Sequence, residues 1–190
     1  MAWWLVRHSR VALPAGMCYG RLEVPLAADF PQAVAWIAQQ VPCHADMAYW
    51  SSPSLRCRTL AETLAPLRPW QFSSALQELD FGQWEGQRWD DLPTAEACAW
   101  GNDFVTTVCP GGESYAQLAR RVQQWWARSM RYSAGGLVIC HAGVMRALAA
   151  HWQGIALVDS FNQSLPYATV LHYQPQTQQL TWHYPPESWS

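Results

Sequence analysis

Charge is scarce in this chain. Charged side chains make up 14% of its 190 residues, against the usual quarter or so. The formal net charge is -2, and no basic block interrupts the sequence. This excludes a partner held by long-range electrostatics, so neither nucleic acid nor an anionic membrane surface is expected. Any cations that grip an anion must be concentrated locally. No apolar run approaches the roughly 18 residues of a membrane span. The first residues lack a basic n-region, and their apolar run is shorter than the roughly 7–15 residues of a signal-peptide core. A cytoplasmic protein is the expectation. The six cysteines (Cys18, Cys43, Cys57, Cys98, Cys109, Cys140) form no CxxC pair and show no metal-ligand spacing. They read as free thiols in a reducing compartment, several of them buried, and Cys140 reads as a packing residue. Repeats, linkers and low-complexity segments are missing too. One domain over residues 1–190 is expected, long enough to bury a sizeable core.

What the chain does have is apolar and aromatic bulk: 50% hydrophobic residues and 13 tryptophans. Ala2-Trp3-Trp4-Leu5-Val6 is a short buried strand by pattern, and it ends abruptly in Arg7-His8-Ser9-Arg10. A loop rich in proline and glycine runs from Ser9 to Ala28, a length that is usually functional. Asp29 stands at an N-cap position with Gln32 three residues on, and Phe30, Val34 and Ile37 predict a helix over 30–40. Ala48 to Ser51 reads as a strand. Ser52 and Pro53 supply a capping hydroxyl and a first-turn proline for a helix over 53–66, with Leu60, Leu64 and Leu67 inward. Trp70 to Phe72 is a third short strand, and Leu76 to Leu92 an irregular acidic and aromatic excursion. Residues 93–109 read as a short helix, then loop. Ser114 and Gln117 form a capping box, followed by a helical stripe of Tyr115, Leu118, Val122, Trp125 and Trp126 to about Met130. Leu137 to Cys140 is fully apolar and predicts a central parallel strand. His141-Ala142-Gly143 opens a helix to about Trp152. Ala168 to Tyr173 and Gln179 to Tyr184 predict a closing pair of strands at a sheet edge. Strands alternating with helices predict an α/β fold, a three-layer α/β/α sandwich with a mostly parallel central sheet.

In such sheets ligands sit at the carboxyl ends of strands. Arg7-His8 and His141 fall at two of those ends, and Arg56 lies in the first turn of the helix after Ser52-Pro53. Helix N-termini at the same edge offer free N–H groups and partial positive charge to a phosphate. The residue types suggest His8 as a nucleophile toward phosphorus and Arg7 as a grip on the phosphate. A phosphomonoester dianion repels anionic nucleophiles, and a neutral imidazole avoids that repulsion. Neighbouring guanidiniums and burial both favour the neutral ring.

Five segments in order carry a resemblance: Leu5-Val6-Arg7-His8, Ser51-Ser52-Pro53-Ser54-Leu55-Arg56-Cys57, Glu78 to Gly86, Pro110-Gly111-Gly112-Glu113-Ser114 and His141-Ala142-Gly143. Together they resemble the histidine phosphatase superfamily, the phosphoglycerate-mutase-like proteins. The resemblance implies His8 as the phosphorylated histidine, Arg7, Arg56 and His141 as the phosphate clamp, with His141 protonated, and Glu78 as proton donor. Glu85, seven residues on, is the alternative donor. The Cys18 to Leu26 loop is similar to that of the α-ribazole phosphatase branch. This implies removal of the 5′-phosphate of α-ribazole 5′-phosphate or a cobamide 5′-phosphate in cobalamin biosynthesis. Ser9, Arg10, Tyr19, Arg21 and Glu85 are further candidates for substrate contact, by their places beside these motifs. No metal or other cofactor is implied, and the partner is a small phosphomonoester. No oligomeric state is implied. The superfamily usually carries Gly-Glu-Thr after its Arg-His and an Asn soon after; here Ser9-Arg10-Val11 follows, and no Asn precedes Asn102. A broad sugar-phosphate phosphatase is the alternative within the same chemistry. A mutase would need more basic residues around its rim, and a mere binding module tends to lose the histidine or the acid. Glu113 reads as serving the start of its own helix. His44, His151, His172 and His183 read as structural or surface residues. Trp84 and Trp89 are the two tryptophans expected near the site.

Overall fold

A computed structural model describes residues 2–133 and 135–187. Six strands form one sheet: β1 (Trp3–Arg7), β2 (Ala48–Ser51), β3 (Gln71–Phe72), β4 (Gly136–Cys140), β5 (Val170–Gln174) and β6 (Gln179–His183). Their order is β3-β2-β4-β1-β5-β6. The four strands from β3 to β1 pair in parallel, while β5 runs antiparallel to both β1 and β6. The sheet is therefore mixed around a parallel block. Of the closing pair only β6 is an edge, because β5 is enclosed between β1 and β6.

Among the described residues there are five α-helices: α1 (Phe30–Gln40), α2 (Leu55–Leu64), α4 (Tyr115–Tyr132) and α5 (Ala142–Gln153) cover the sheet, and α3 (Thr94–Asn102) packs on the excursion outside it. The period-two alternation of strand side chains sorts the two cores. Trp3, Leu5, Val138 and Cys140 face α4 and α5. Val6, Leu137 and Ile139 face α1 and α2. All five residues of β4 are buried, as a central strand covered on both faces must be. Burying a side chain of this size is worth about 1.5–3 kcal/mol. The parallel block of the sheet is thus anchored where the chemistry leaves it. Among the described residues no helix is long and apolar enough to cross a membrane.

Three local expectations need correction. Asp29 occupies the N-cap position of α1 but accepts no capping bond from the helix; its carboxylate instead meets Arg10 at 3.1 Å. α2 begins at Leu55 rather than Pro53, and Ser54, not Ser52, stands at its N-cap. The Ser52 hydroxyl is withdrawn from capping because it pairs with His141, at 2.8 Å from Nε2. Leu67 is 94% exposed, because the helix ends at Leu64 and Ala65 turns out of helical geometry. The Ser114 and Gln117 capping box of α4 forms in both directions.

Candidate active site

Register decides the centre of the site. β1 and β4 pair with Arg7 opposite Cys140, so the next residues, His8 and His141, leave the sheet side by side. The His8 N–H donates to the Cys140 carbonyl at 3.0 Å. The two imidazoles meet edge to face, with centroids 5.1 Å apart. Both are buried.

The His8 Nδ1 lies 2.7 Å from the Ser9 carbonyl. A carbonyl can only accept, so Nδ1 carries the proton and the lone pair sits on Nε2. Burial, then the charges of Arg56 and Arg7, hold this ring well below its ordinary pKa. It is a neutral imidazole with a free nitrogen. His141 is held low in the same way, by burial first and then by Arg56, His8 and Arg7. In the protein alone the His141 ring is thus held neutral, and the protonated form expected of it needs a dianion alongside. Cys57 Sγ lies 3.5 Å from His141 Nε2; burial pushes its thiol up to about 12, so it is a neutral neighbour.

Arg56 is 0% exposed. It donates to the Leu22 carbonyl at 3.0 Å and the Gly20 carbonyl at 2.5 Å. Arg7 donates to the Leu165 carbonyl, and its guanidinium stands 4.0 Å over the Tyr167 ring. Neither arginine has a carboxylate partner among the described residues. Each also keeps a buried Nε without an acceptor. Glu78 is pinned by backbone: Leu79 N–H donates to Oε1 at 3.0 Å, and Gly143 N–H, in the first turn of α5, donates to Oε2 at 3.1 Å.

Arg7, His8, Arg56 and Glu78 line one cavity of about 250 Å³, while His141, wholly buried against the His8 ring, stands behind its wall. Its polar end holds Arg7, His8, Arg56 and Glu78. Its other end is aromatic, walled by Phe81, Trp89, Trp100, Phe104 and Phe161. Two cations without anionic partners, a neutral nucleophilic nitrogen and a carboxylate across from it can bind a dianion, attack it and move a proton to its leaving group. Among the described residues no group of three or more His, Cys, Asp or Glu is arranged to hold a metal ion.

Residues 3–184 match the histidine phosphatase superfamily (branch 1). The chain belongs to this superfamily. It is a phosphatase. The adenosylcobalamin/alpha-ribazole phosphatase of Escherichia coli (strain K12) is 28% identical over 169 residues, covering 82% of this chain and 80% of that one. A 6-phosphofructo-2-kinase/fructose-2,6-bisphosphatase of Aquarana catesbeiana is 30% identical over 134 residues, covering 68% of this chain. The matched part is 26% of that longer relative. Among solved structures, the alpha-ribazole phosphatase from Shigella flexneri superposes with a TM-score of 0.85 at 22% identity, covering 96% of this chain and 95% of that one. A mycobacterial glucosyl-3-phosphoglycerate phosphatase gives 0.76 at 20% identity, again covering 96% and 95%.

Several expected contacts of the phosphatase are elsewhere. Glu85 is turned away from the cavity; it accepts from the Arg21 N–H at 2.8 Å, the Phe81 N–H at 3.1 Å and the Leu22 N–H. It is a tie between two loops, which leaves Glu78 as the carboxylate at the cavity. Arg21 pairs with Asp80 at 3.0 Å and Glu113 at 3.4 Å. Glu113, expected to serve its helix start, is spent on Arg21 and Arg121. Ser9 is wholly buried with its hydroxyl unpartnered, and it does not line the cavity. Arg10 lines a neighbouring cavity and is tied to Asp29. Tyr19 does line the site, and its hydroxyl bonds to that of Tyr167 at 2.5 Å. Trp89 is in the wall as expected, whereas Trp84 packs behind it.

The sequence reading missed Met17, Trp100, Phe104, Tyr115, Arg146, Phe161 and Tyr167. Arg146 was findable, because it lies three and four residues after Gly143 and Ala142, on the helix face that they present to the cavity. Tyr167 carried no signal. It precedes Ala168, whose left-handed backbone (φ 61°) turns the chain before β5 and leaves the Tyr167 ring 5.5 Å from His8.

Proposed function

We propose that this phosphatase hydrolyses phosphomonoesters through a phosphohistidine on His8. The observation that carries the reading is the pairing of two arginines, with no carboxylate partner among the described residues, with a neutral His8 whose free nitrogen is Nε2. In the first half-reaction Nε2 attacks phosphorus, the Nε2–P bond forms and the P–O bond to the alcohol breaks. Glu78 gives its proton to the departing alkoxide. Arg7, Arg56 and His141 hold the equatorial oxygens, whose charge builds in the transition state. The arriving dianion supplies the negative charge that lets His141 take up a proton. In the second half-reaction water attacks phosphorus, the Glu78 carboxylate takes its proton, and the Nε2–P bond breaks to release inorganic phosphate.

The substrate that fits best is α-ribazole 5′-phosphate or a cobamide 5′-phosphate, which would give the enzyme a step in cobalamin biosynthesis. Support comes from the α-ribazole phosphatase relatives and from the aromatic end of the cavity. Flat rings stack on such walls with centroids about 4.5–7 Å apart, and a benzimidazole nucleoside presents that kind of ring to Trp89 and Trp100. The test is phosphate release from α-ribazole 5′-phosphate beside p-nitrophenyl phosphate and 3-phosphoglycerate, with His8→Ala as control and EDTA present. Strong preference for the first, absent in the variant, is the expected result. Equal weak turnover of all three, still dependent on His8, would keep the chemistry and remove the cobalamin substrate. A trapped phosphoenzyme should survive base and decay in acid; a phosphoserine or acyl phosphate there would overturn the mechanism.

A further inference from the structure

Tyr167 has no role in the reaction above, although the backbone around it is pinned beside His8. The Ala168 N–H donates to the His8 carbonyl at 3.1 Å, and the Arg7 N–H donates to the Thr169 carbonyl at 2.9 Å. The Trp36 indole N–H donates to the Ala168 carbonyl at 3.2 Å. The Thr169 hydroxyl closes the turn on the Pro166 carbonyl at 2.7 Å. So held, the Tyr167 ring lines the cavity 5.5 Å from the His8 ring. Tyr19 reaches the same cavity from the long loop after β1, and the two phenol oxygens lie 2.5 Å apart. Each ring also meets one of the two arginines: the Arg7 guanidinium stands 4.0 Å over Tyr167, and that of Arg56 stands 5.4 Å from Tyr19. The hydroxyl pair therefore bridges the two cations. Two phenols carry two O–H protons, and the bond between them uses one. Among the described residues neither oxygen has another partner, so the second proton is unused. Burial and the bond to Tyr167 hold the Tyr19 phenol above its ordinary pKa, as suits the hydroxyl that donates within the pair. The unused proton then belongs to Tyr167, the ring that meets His8. A neutral donor fits this place. A third cation would face two like charges, whereas an O–H adds a strong hydrogen bond to a dianion without adding charge.

We propose that the Tyr167 hydroxyl donates a hydrogen bond to the phosphoryl group at His8, and that Tyr19, by donating to the Tyr167 oxygen, turns the Tyr167 proton toward it. The inference rests on the phosphohistidine reading of the site and adds to it one residue in contact with the substrate and one positioning residue. No proton is transferred: Tyr167 keeps its own while charge builds on the phosphoryl oxygen that accepts from it.

The test follows kcat/KM for p-nitrophenyl phosphate and, by calorimetry, the Kd for inorganic phosphate. The variants are Tyr167→Phe, Tyr19→Phe and the two combined, with melting curves alongside. Phenylalanine keeps both rings, so the stacking on Arg7 remains and only hydroxyls are removed. Tyr167→Phe should weaken phosphate binding about tenfold to a hundredfold, the range of one hydrogen bond to a charged group, and lower kcat/KM by at least as much. Tyr19→Phe should cost about threefold in both, the low end for a neutral hydrogen bond. In the Tyr167→Phe background it should cost nothing further, because no proton is left to orient. Tyr132→Phe, at the exposed end of α4, should change neither quantity. Equal losses in the two single variants would overturn the proposal, since the pair would then only tie two loops together. So would a Tyr167→Phe loss below about threefold, or a Tyr19→Phe loss that repeats in the double variant. Should the wild type bind phosphate but leave p-nitrophenyl phosphate intact, the phosphohistidine reading fails for that ester and the donor is judged on the Kd values alone. A wild type that binds no phosphate overturns both.

Discussion

Gly143→Ala is the substitution that separates the fold from the chemistry most cleanly. A Cβ built on Gly143 would stand 2.3 Å from Glu78 Oε1, and 3.3 Å from Glu78 Cδ and from Leu118 Cδ1. A carbon and an oxygen rest about 3.3–3.6 Å apart, so the carboxylate must retreat by about 1 Å. The retreat also loosens the Gly143 N–H bond to Oε2. The helix itself gains, because alanine is favoured over glycine in a helix by up to about 1 kcal/mol. Thermal stability should therefore hold or rise slightly while proton donation suffers. Misplacing a catalytic group by about 1 Å costs on the order of 10²-fold in rate. The loss should appear in kcat/KM, which reports only the first half-reaction, with ribose 5-phosphate, whose alkoxide needs a proton to leave. It should be much smaller with p-nitrophenyl phosphate, whose leaving group departs without help. The assay is the pair of kcat/KM values for variant and wild type, beside a melting curve. Equal losses on both substrates, or none on either, would refute the assignment of Glu78 as the proton donor.

Glu78→Gln should reproduce the same leaving-group dependence with a larger loss, about 10²–10⁴ on the alkyl ester, whereas Glu85→Gln should cost mainly stability, measured by urea titration, because Glu85 ties backbone rather than substrate. Inorganic phosphate at about 100 times its Kd should stabilise the protein by about 2.7 kcal/mol, and Arg56→Met should abolish that shift in calorimetry. His8 and His141 have folded pKa values below the unfolded one, so the unfolded chain binds more protons once the pH falls under about 6.5. Stability should be full above that pH and decline below it, by up to about 2.7 kcal/mol per pH unit for the two rings together. Saturating phosphate should roughly halve the slope of the decline by favouring the protonated His141; a flat profile between pH 7 and 5 in the protein alone would contradict the buried neutral rings.

The architecture was legible because its signals are periodic and local. Leu137 to Cys140 is apolar at every position, and only a strand covered on both faces needs that. The polar residues at the centre of the candidate site were legible for a related reason: Arg7, His8 and His141 sit where apolar strands end, and Arg56 sits in a helix's first turn. Glu78 was preferred to Glu85 only on its place in the motif, since both lie in an irregular segment and only backbone partners show which one turns inward. The withdrawal of Ser52 from its helix cap was hidden for the same reason, because its partner His141 is 89 residues away. Polar side chains choose among competing partners that periodicity does not encode. Of the aromatic wall only Trp89 was anticipated; Trp100, Phe104 and Phe161 were not, because the wall is gathered from the 81–104 excursion and the loop at Phe161, whose packing follows no repeat.

Arg56 shows what the site demands of the rest of the chain. A wholly buried guanidinium without a carboxylate is a costly feature, since burying an unpaired charge takes several kcal/mol even after relaxation. Carbonyls from Gly20 and Leu22 offset part of that cost, and they come from the same long loop that roofs the cavity. Adding a Cβ to Gly20 would drive it to 1.8 Å from the Leu79 carbonyl, so the roof closes only because that residue is glycine. The loop is in turn tied down by Glu85 on the backbone of Arg21 and Leu22. A carboxylate beside Arg56 would stabilise the empty protein at lower cost, and it would occupy the position a phosphate must take. The chain holds its cation with neutral dipoles instead, which leaves the charge uncompensated until a dianion arrives. The cost of holding that charge is thus spread over the fold, through a loop that supplies backbone carbonyls rather than carboxylates to Arg56.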